Sequence, residues 1–339
     1  MLLLPLCSAA AAPVSQRLLR ENVQAAARYS REVSQISLLV SQQGRVLFEE
    51  HRASPKAGYP VASCAKSLWG LAAAAAVQDG LLSFDELVCA TFPGWEDDPR
   101  KARVRVRDLL SMTSGLDPGY EPLYSHDPED AHQTALALPA INEPGELFVY
   151  GPANMEVFGA LLAKKLARRG LSPLRYLEKR VLEPTGAGYT GWSRDKVGHP
   201  MMSSGVQMTA RQLLAVGRLI AHRGAVGGRR LVSASALGEL FQGTPANPAY
   251  GMTLWLNANA RLSEAVETDI EKTLGLGRPH EGWSTACVSK AAPPDLVVMV
   301  GSWNQRVYVS PSLDLVIVRQ GSGTRFSDAE FLSRLFKGE

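Results

Sequence analysis

Ser63 and Lys66 lie three positions apart at the start of a long apolar run. On a helix, residues at i and i+3 share a face, so the lysine amine can approach the serine hydroxyl. A serine hydroxyl needs an adjacent base to act as a nucleophile, and a lysine is such a base only where burial and neighbouring cations lower its pKa. The free N–H groups of the helix start can stabilise an oxyanion, and its positive dipole end disfavours the ammonium. The chemistry indicated is nucleophilic acyl transfer.

The spacing alone has little specificity, because Ser193 and Lys196 repeat it. That second copy lies in a polar, turn-like stretch without a preceding pair of strands, which favours a chance match. Taken without its surroundings, Ser63 is interpreted as a helix cap followed by a solvated lysine. Cys64 points about 100° away from the face of Ser63 and Lys66, so a buried packing role is favoured over a nucleophilic one.

The elements that must position these residues are predicted from hydrophobic periodicity and turn residues. Two β-rich runs, residues 36–40 and 45–49, flank a glycine turn and predict a hairpin. A helix is predicted from Ser63 to a stop at residues 79–80, followed by helices and loops to about residue 246. The other predicted elements are a first helix over residues 15–30 with Ser15 as its cap, strands at residues 296–300, 306–309 and 315–318, and a last helix capped by Ser327.

Strands at both ends and helices between them predict an α/β (α+β) protein. Its antiparallel sheet is built from both termini and flanked by helices, with a mainly helical lobe inserted. The expected division is a sheet lobe of residues 15–62 and 250–339 and a helical lobe of residues 63–249, which together form a single catalytic unit.

Composition excludes several classes of protein. Among 339 residues, 36 are Lys or Arg and 33 are Asp or Glu, and a net charge of +3 gives no support for a nucleic-acid partner. The 4 cysteines and 6 histidines lack metal-ligand spacing, so neither a metal nor another cofactor is expected. The sequence contains no run of about 18 uncharged apolar residues, so no transmembrane segment is predicted. Residues 1–14 resemble the end of a secretory signal, which weakly favours export. The oligomeric state is not indicated.

Several segments, in order, resemble the serine β-lactamase and penicillin-recognising family, in particular its class C-like branch with esterases and amide hydrolases. Residues 106–116 are similar to a Leu-Leu-x-His-Thr-Ser-Gly segment of that branch, with Met112 where histidine is common. The resemblance covers residues 15–336 and implies the β-lactamase/transpeptidase-like fold, with an acyl-enzyme formed on Ser63. The matching segments are residues 63–66, 106–116, 143–150, 173–184, 205–214, 250–256 and 305–316.

The resemblance implies a catalytic role for Tyr150, which follows a Pro-Gly pair as the catalytic tyrosine of the family does. A phenol oxygen there can both donate and accept a proton, and neighbouring cations can lower its pKa. The alternative is a core tyrosine with a satisfied hydroxyl. The family pattern Tyr-x-Asn is broken by Pro152, which has no side-chain donor and no N–H. Asn154 is out of register and is not assigned the asparagine's role.

The third family motif, Lys-Thr-Gly or His-Thr-Gly on a strand facing the nucleophile, is altered as well. Here Met299 and Val300 replace the cation and the hydroxyl, while Gly301 is kept. The resemblance implies an oxyanion hole formed by the N–H groups of Ser302 and Ser63. Trp303, together with Gly301, is a candidate for the substrate pocket. An alternative placement of the motif at residues 280–282 lies too far before Gln305, and His280 is then interpreted as a surface-loop residue.

Three functions remain open. The favoured one is hydrolysis of carboxylic esters or linear amides through an acyl-enzyme on Ser63, because the carboxylate-binding pair and the asparagine are missing. The first alternative is β-lactamase or D-alanyl-D-alanine carboxypeptidase activity. The second is a weakened family member that binds acyl ligands without turnover. The expected partner is a small ester or amide, and its acyl and leaving groups are not readable from the sequence.

Overall fold

The computed structural model describes residues 17–125, 128–274, 279–323 and 325–339. Ser15 and the possible signal at residues 1–14 lie outside these ranges. The helices are α1 (Arg20–Glu32), α2 (Cys64–Gln78), α3 (Val106–Leu110), α4 (Ala131–Ala137), α5 (Ala153–Ala167), α6 (Pro173–Leu177), α7 (Glu183–Thr185), α8 (Ala210–Ala221), α9 (Ala234–Glu239), α10 (Ile270–Thr273) and α11 (Asp328–Phe336). None of the helices within these ranges is both long and apolar enough to cross a membrane.

A six-stranded antiparallel sheet with the order β2-β1-β13-β12-β11-β8 forms the centre of the fold. Strands from both termini therefore form one sheet, as predicted, and the N-terminal hairpin joins it beside the last strand. The strands are β1 (Gln35–Gln42), β2 (Arg45–His51), β3 (Tyr59–Pro60), β4 (Gly191–Trp192), β5 (Val206–Met208), β6 (Ala225–Val226), β7 (Arg229–Arg230), β8 (Trp255–Leu256), β9 (Val266–Glu267), β10 (Ala286–Cys287), β11 (Val297–Gly301), β12 (Gln305–Ser310) and β13 (Leu315–Gly321).

Helices cover both faces of the sheet. Successive residues of a strand point to opposite faces. Tyr308 stacks on Phe331 of α11, with ring centroids 5.8 Å apart. Its neighbour Val307 faces α8, where a Cβ on Gly217 would lie 3.2 Å from the valine side chain and 2.4 Å from that of Val316. Because both faces are packed, β11, β12 and β13 are buried throughout. Their burial includes polar side chains such as Arg306 and Arg319, which are hydrogen-bonded.

Helix α2 runs through the interior, which explains its alanine-rich sequence. A helix that is apolar on all sides is stable only where it is surrounded by other elements. Residues 64–76 of α2 are buried, Lys66 among them. A Cβ on Gly70 would lie 2.0 Å from Oγ1 of Thr253, so a neighbouring loop contacts the helix backbone directly. The interior position of α2 places its first turn beside the end of β11, where the two contact.

The structure corrects the predicted elements in two places. Helix α1 begins at Arg20 with Leu19 as its N-cap, rather than at Ser15. β4 and β5 lie within the part predicted as helices and loops and form a small sheet with β3, because strands of two or three residues leave no clear periodic signal. Helix α8, which the predicted division assigns to the helical lobe, packs on the main sheet. The division into two lobes remains a prediction.

Candidate active site

Ser63 and Lys66 meet as the spacing predicts. The Nζ atom of Lys66 lies 3.0 Å from Oγ of Ser63 and donates to the carbonyl oxygen of Ser203 at 2.8 Å. Ser63 is the N-cap of α2, and the residue before it, Ala62, has a φ of 48°, a conformation that costs a residue other than glycine some strain. The chain therefore turns sharply just before the serine, and α2 positions the lysine beneath it.

Burial lowers the pKa of Lys66 to about 7, against the opposing effects of Glu156 and Cys64. The side chain is 1% exposed, and a cation is costly where water cannot solvate it. A substantial fraction of Lys66 is therefore neutral at neutral pH. This is the protonation state that a general base requires.

Tyr150 is the third residue of the site, beside Ser63 and Lys66. Its loop is held by the backbone N–H of Val149, which donates to Met112 O at 2.9 Å. The centroid of the Tyr150 ring lies 4.8 Å from Nζ of Lys66, and the nearby Ser63 side chain lowers the pKa of the phenol, against the larger effect of burial. Burial raises the pKa of Tyr150 well above 10, so its net shift is opposite to the lowering that neighbouring cations would cause. Tyr150 is a neutral phenol that can donate a proton while accepting another.

A cavity of about 600 Å³ opens above these residues, a volume that suits a small organic ligand. The end of β11 forms one wall and the serine turn another. Trp303, which is 54% exposed, lies at its edge. The predicted site residues that line this cavity are Ser63, Tyr150, Gly301, Ser302 and Trp303.

Gly301 allows β11 to approach the serine turn. A Cβ at this position would lie 2.2 Å from the carbonyl oxygen of Val61 and 3.2 Å from the backbone nitrogen of Cys64. Both atoms belong to the backbone and cannot rotate away. The N–H of Ser302, next in the chain, is therefore held close to the start of α2, where an oxyanion hole would need it.

We expect Gly301→Ala to lower kcat/KM by about 100-fold, because the strand must move away from the serine turn and displaces one of the two proposed oxyanion donors. The overpacking is also expected to destabilise the fold by roughly 1–3 kcal/mol. Ester hydrolysis and thermal unfolding measure the two effects. Gly238→Ala is the control, since a Cβ there has nothing within 4 Å. Activity equal to that of this control would contradict the close approach.

The chain departs from the family motifs at Pro152 and at Val300, and both residues have defined places in the structure. Pro152 is the N-cap of α5, and Asn154 is buried with its Oδ1 atom 2.5 Å from Oγ of Ser114. Asn154 therefore does not replace the missing asparagine. Val300 lines the cavity where the family has a hydroxyl. Among the described residues that line the cavity there is no lysine or arginine.

Glu271, which the sequence does not indicate, holds the turn after β11. Its carboxylate accepts hydrogen bonds from the N–H groups of Trp303 at 2.7 Å and Asn304 at 3.1 Å. It also pairs at 3.3 Å with Arg306, which is fully buried against Asp328. Trp303 and Asn304 have φ values of 60° and 61°, so these bonds stabilise a turn with two left-handed residues.

The remaining sequence candidates lie outside the site or have other roles. Burial raises the pKa of Cys64 to about 12, and its Sγ lies 3.6 Å from Gln305 O, so it is a packing residue. Lys196 of the second Ser-x-x-Lys copy pairs with Glu129 on the surface. His280 is exposed and contacts Trp283, as expected of a surface-loop residue. Trp283 itself packs in an aromatic cluster with Trp255.

One group of possible metal ligands occurs among the described residues, namely Asp130, Asp195 and His199. The carboxylate of Asp195 already accepts from the N–H groups of Ala131 and His199, at 2.9 and 2.7 Å. Its Oδ2 atom also lies 3.1 Å from the ring of His199. These bonds hold the loop, and we assign no metal to it.

A serine at the start of an internal helix, a lysine with a lowered pKa and a buried tyrosine, close to the end of β11, are the groups expected of a serine hydrolase of the acyl-enzyme type. The chain belongs to the Beta-lactamase family, whose family model matches residues 16–330. The fold is accordingly the β-lactamase/transpeptidase-like fold that the sequence resemblance implied, and this prediction is confirmed.

Curated relatives match a smaller part of the chain. Monacolin J acid methylbutanoyltransferase of Aspergillus terreus is 29% identical over 151 residues, which is 37% of this chain and 36% of the relative. The alignment thus spans about a third of that relative's length.

Solved structures match nearly the whole chain. EstCE1, described as a hydrolase with promiscuous acyltransferase activity, has a TM-score of 0.68 at 16% identity and covers 94% of this chain and 99% of its own. A family VIII carboxylesterase has a TM-score of 0.68 at 15% identity, and the match covers 94% of this chain and 96% of the carboxylesterase chain. At these identities the likeness shows the fold.

Proposed function

We propose that this enzyme hydrolyses carboxylic esters or linear amides through an acyl-enzyme on Ser63. Neutral Lys66 removes the proton of Ser63 Oγ while that oxygen attacks the carbonyl carbon. The N–H groups of Ser63 and Ser302 donate to the resulting oxyanion. Tyr150 donates its proton to the leaving oxygen or nitrogen as the bond to carbon breaks, and takes a proton from Lys66. Water then attacks the acyl-enzyme through the same groups and releases the acid.

The lining of the cavity carries the choice of substrate. A β-lactam or a D-alanyl peptide has a carboxylate, for which the family uses a cation on the strand. Here Met299 and Val300 occupy those positions, and Glu271 lines the same cavity. Arg306 is buried behind the turn and its guanidinium is paired with Asp328 and Glu271. A substrate carboxylate would therefore meet no cation, whereas a neutral ester or amide has no need of one.

A substrate panel tests this proposal. We expect p-nitrophenyl acetate and butyrate to be turned over, with a linear p-nitroanilide slower and nitrocefin at least about 100-fold slower than the esters. Nitrocefin turnover within that factor would favour the β-lactamase alternative. Stoichiometric acylation without turnover would favour the ligand-binding alternative.

Acyl transfer to an alcohol is a second candidate, supported by the acyltransferase relative and by the description of EstCE1. An acyl-enzyme can pass its acyl group to any nucleophile that reaches it, and water is only one. With p-nitrophenyl butyrate and added 1-propanol, we expect propyl butyrate beside butyric acid. Release of butyric acid alone, at a rate independent of the alcohol, would contradict this candidate.

A further inference from the structure

Glu156 lies in the first turn of α5 and is fully buried. Its Oε1 atom accepts hydrogen bonds from the backbone N–H groups of Met202 at 2.9 Å and Ser203 at 3.3 Å. The carbonyl oxygen of Ser203 in turn accepts the hydrogen bond from Lys66. Glu156 therefore positions the peptide segment at Ser203, whose carbonyl oxygen accepts the hydrogen bond from Lys66. Glu156 itself does not line the substrate cavity.

The other carboxylate oxygen has no hydrogen-bond partner among the described residues. Oε2 of Glu156 lies 3.9 Å from Nε2 of His132, and neither buried atom has a partner among the described residues. Gly159 leaves room for the imidazole, because a Cβ there would lie 2.6 Å from this Nε2. Buried polar atoms are nearly always hydrogen-bonded. A small approach of the two side chains would satisfy both atoms with one shared proton.

His132 lies between Glu156 and a cavity at the protein surface. The ring of His132 stacks on that of His199, with centroids 4.1 Å apart. Both histidines line a surface cavity of about 270 Å³, together with Phe92 and Leu136. None of the residues that line this cavity lines the substrate cavity. The buried pair can therefore exchange protons with water without passing through the active site.

We propose that Glu156, with His132 sharing its proton, is a positioning residue that controls the charge of Lys66 and thereby the pH range in which the enzyme works. The inference rests on the proposed role of Lys66 as the general base. Glu156 acts through Lys66 and makes no contact with the substrate.

The charges around Glu156 support this role. The ionisable groups that face it are Lys66 of α2, His132 of α4 and Tyr124 of the segment Glu121–Ser125. Burial raises the pKa of Glu156 to about 7. Burial lowers the pKa of Lys66, also to about 7. Burial also lowers the pKa of His132 to about 4, so this histidine is neutral and can donate its Nε2–H. An ionised Glu156 favours the ammonium form of Lys66, and a protonated one favours the neutral amine.

The test is the pH dependence of labelling of Ser63 by a fluorophosphonate, a reaction that needs no knowledge of the substrate. Glu156→Gln keeps an oxygen for the N–H groups of Met202 and Ser203 but removes the charge. Because the charge favours the ammonium, its removal keeps Lys66 neutral to lower pH. We expect the acid-side midpoint to fall by about one pH unit. The exposed Glu146, changed to glutamine, is the control and leaves the midpoint in place.

His132→Leu provides a second variant. Without the imidazole donor the carboxyl group keeps its proton to higher pH, so the midpoint falls by less than in Glu156→Gln. In the double variant we expect no additional shift, because both changes act through one charge. An unshifted or raised midpoint in Glu156→Gln overturns this inference alone, as does a fully additive shift in the double variant. Failure of the unaltered protein to be labelled at any pH would overturn the proposed function, and this inference with it.

Discussion

Replacing Ser63 by alanine is expected to lower kcat/KM for p-nitrophenyl butyrate by about 10⁴-fold or more. The substitution removes the oxygen atom that forms the acyl-enzyme and that lies 3.0 Å from Nζ of Lys66. Cys64 is excluded because burial raises the pKa of its thiol to about 12. The fluorophosphonate adduct should vanish with the activity, which mass spectrometry of the intact protein would show. The fold should be unaffected, since the loss of one hydroxyl leaves the packing of α2 unchanged.

Ser193→Ala is the matched control, because Ser193 belongs to the second Ser-x-x-Lys copy on the loop between β4 and β5. Both its activity and its labelling should equal those of the unaltered protein. Full hydrolytic activity in Ser63→Ala would show the proposed mechanism to be wrong.

Lys66→Arg is the second change with a very large expected effect. An arginine preserves the positive charge but does not release its proton in a protein, so it cannot be the base. We expect kcat/KM to fall by about 10³-fold or more, and Lys66→Met to fall similarly. In the unaltered protein, kcat/KM should rise with pH through a midpoint near 7, because the neutral form of Lys66, with its pKa of about 7, is the active one. A pH titration of kcat/KM measures that midpoint.

Lys196→Met is the control for this pair, since Lys196 is exposed and pairs with Glu129 on the surface. It should leave both the rate and the midpoint in place. An active Lys66→Arg would mean that the enzyme needs only a cation beside Ser63, and a different base would have to be found.

The parts of the site that could be predicted from the sequence depend on local relations or on whole motifs. Ser63 and Lys66 are three positions apart on one helix, and this spacing is sufficient to bring them together. Gly301, Ser302 and Trp303 could be placed because the segment that follows them resembles the final strands of the family. The structure brings these residues to one cavity, while their catalytic roles remain proposals.

The parts that could not be predicted depend on contacts between distant segments. Lys66 donates to Ser203, 137 positions away, and the turn after β11 is held by Glu271, more than 30 positions earlier. No periodicity or spacing predicts either contact. The charge state of Tyr150 depends likewise on how deeply it is buried. The sequence allowed a lowered pKa at this phenol, whereas burial raises it.

The ribosome makes β13 last among the strands, yet β13 is the neighbour of β1 in the sheet. Until Leu315–Gly321 has been synthesised, one edge of the N-terminal hairpin has no partner strand. Every residue proposed to take part in the reaction, from Ser63 to Ser302, is translated before then. A chain interrupted after Ser302 would thus contain all the reaction chemistry and none of the strand that closes the sheet. Such a product is expected to associate with other chains rather than to hydrolyse esters.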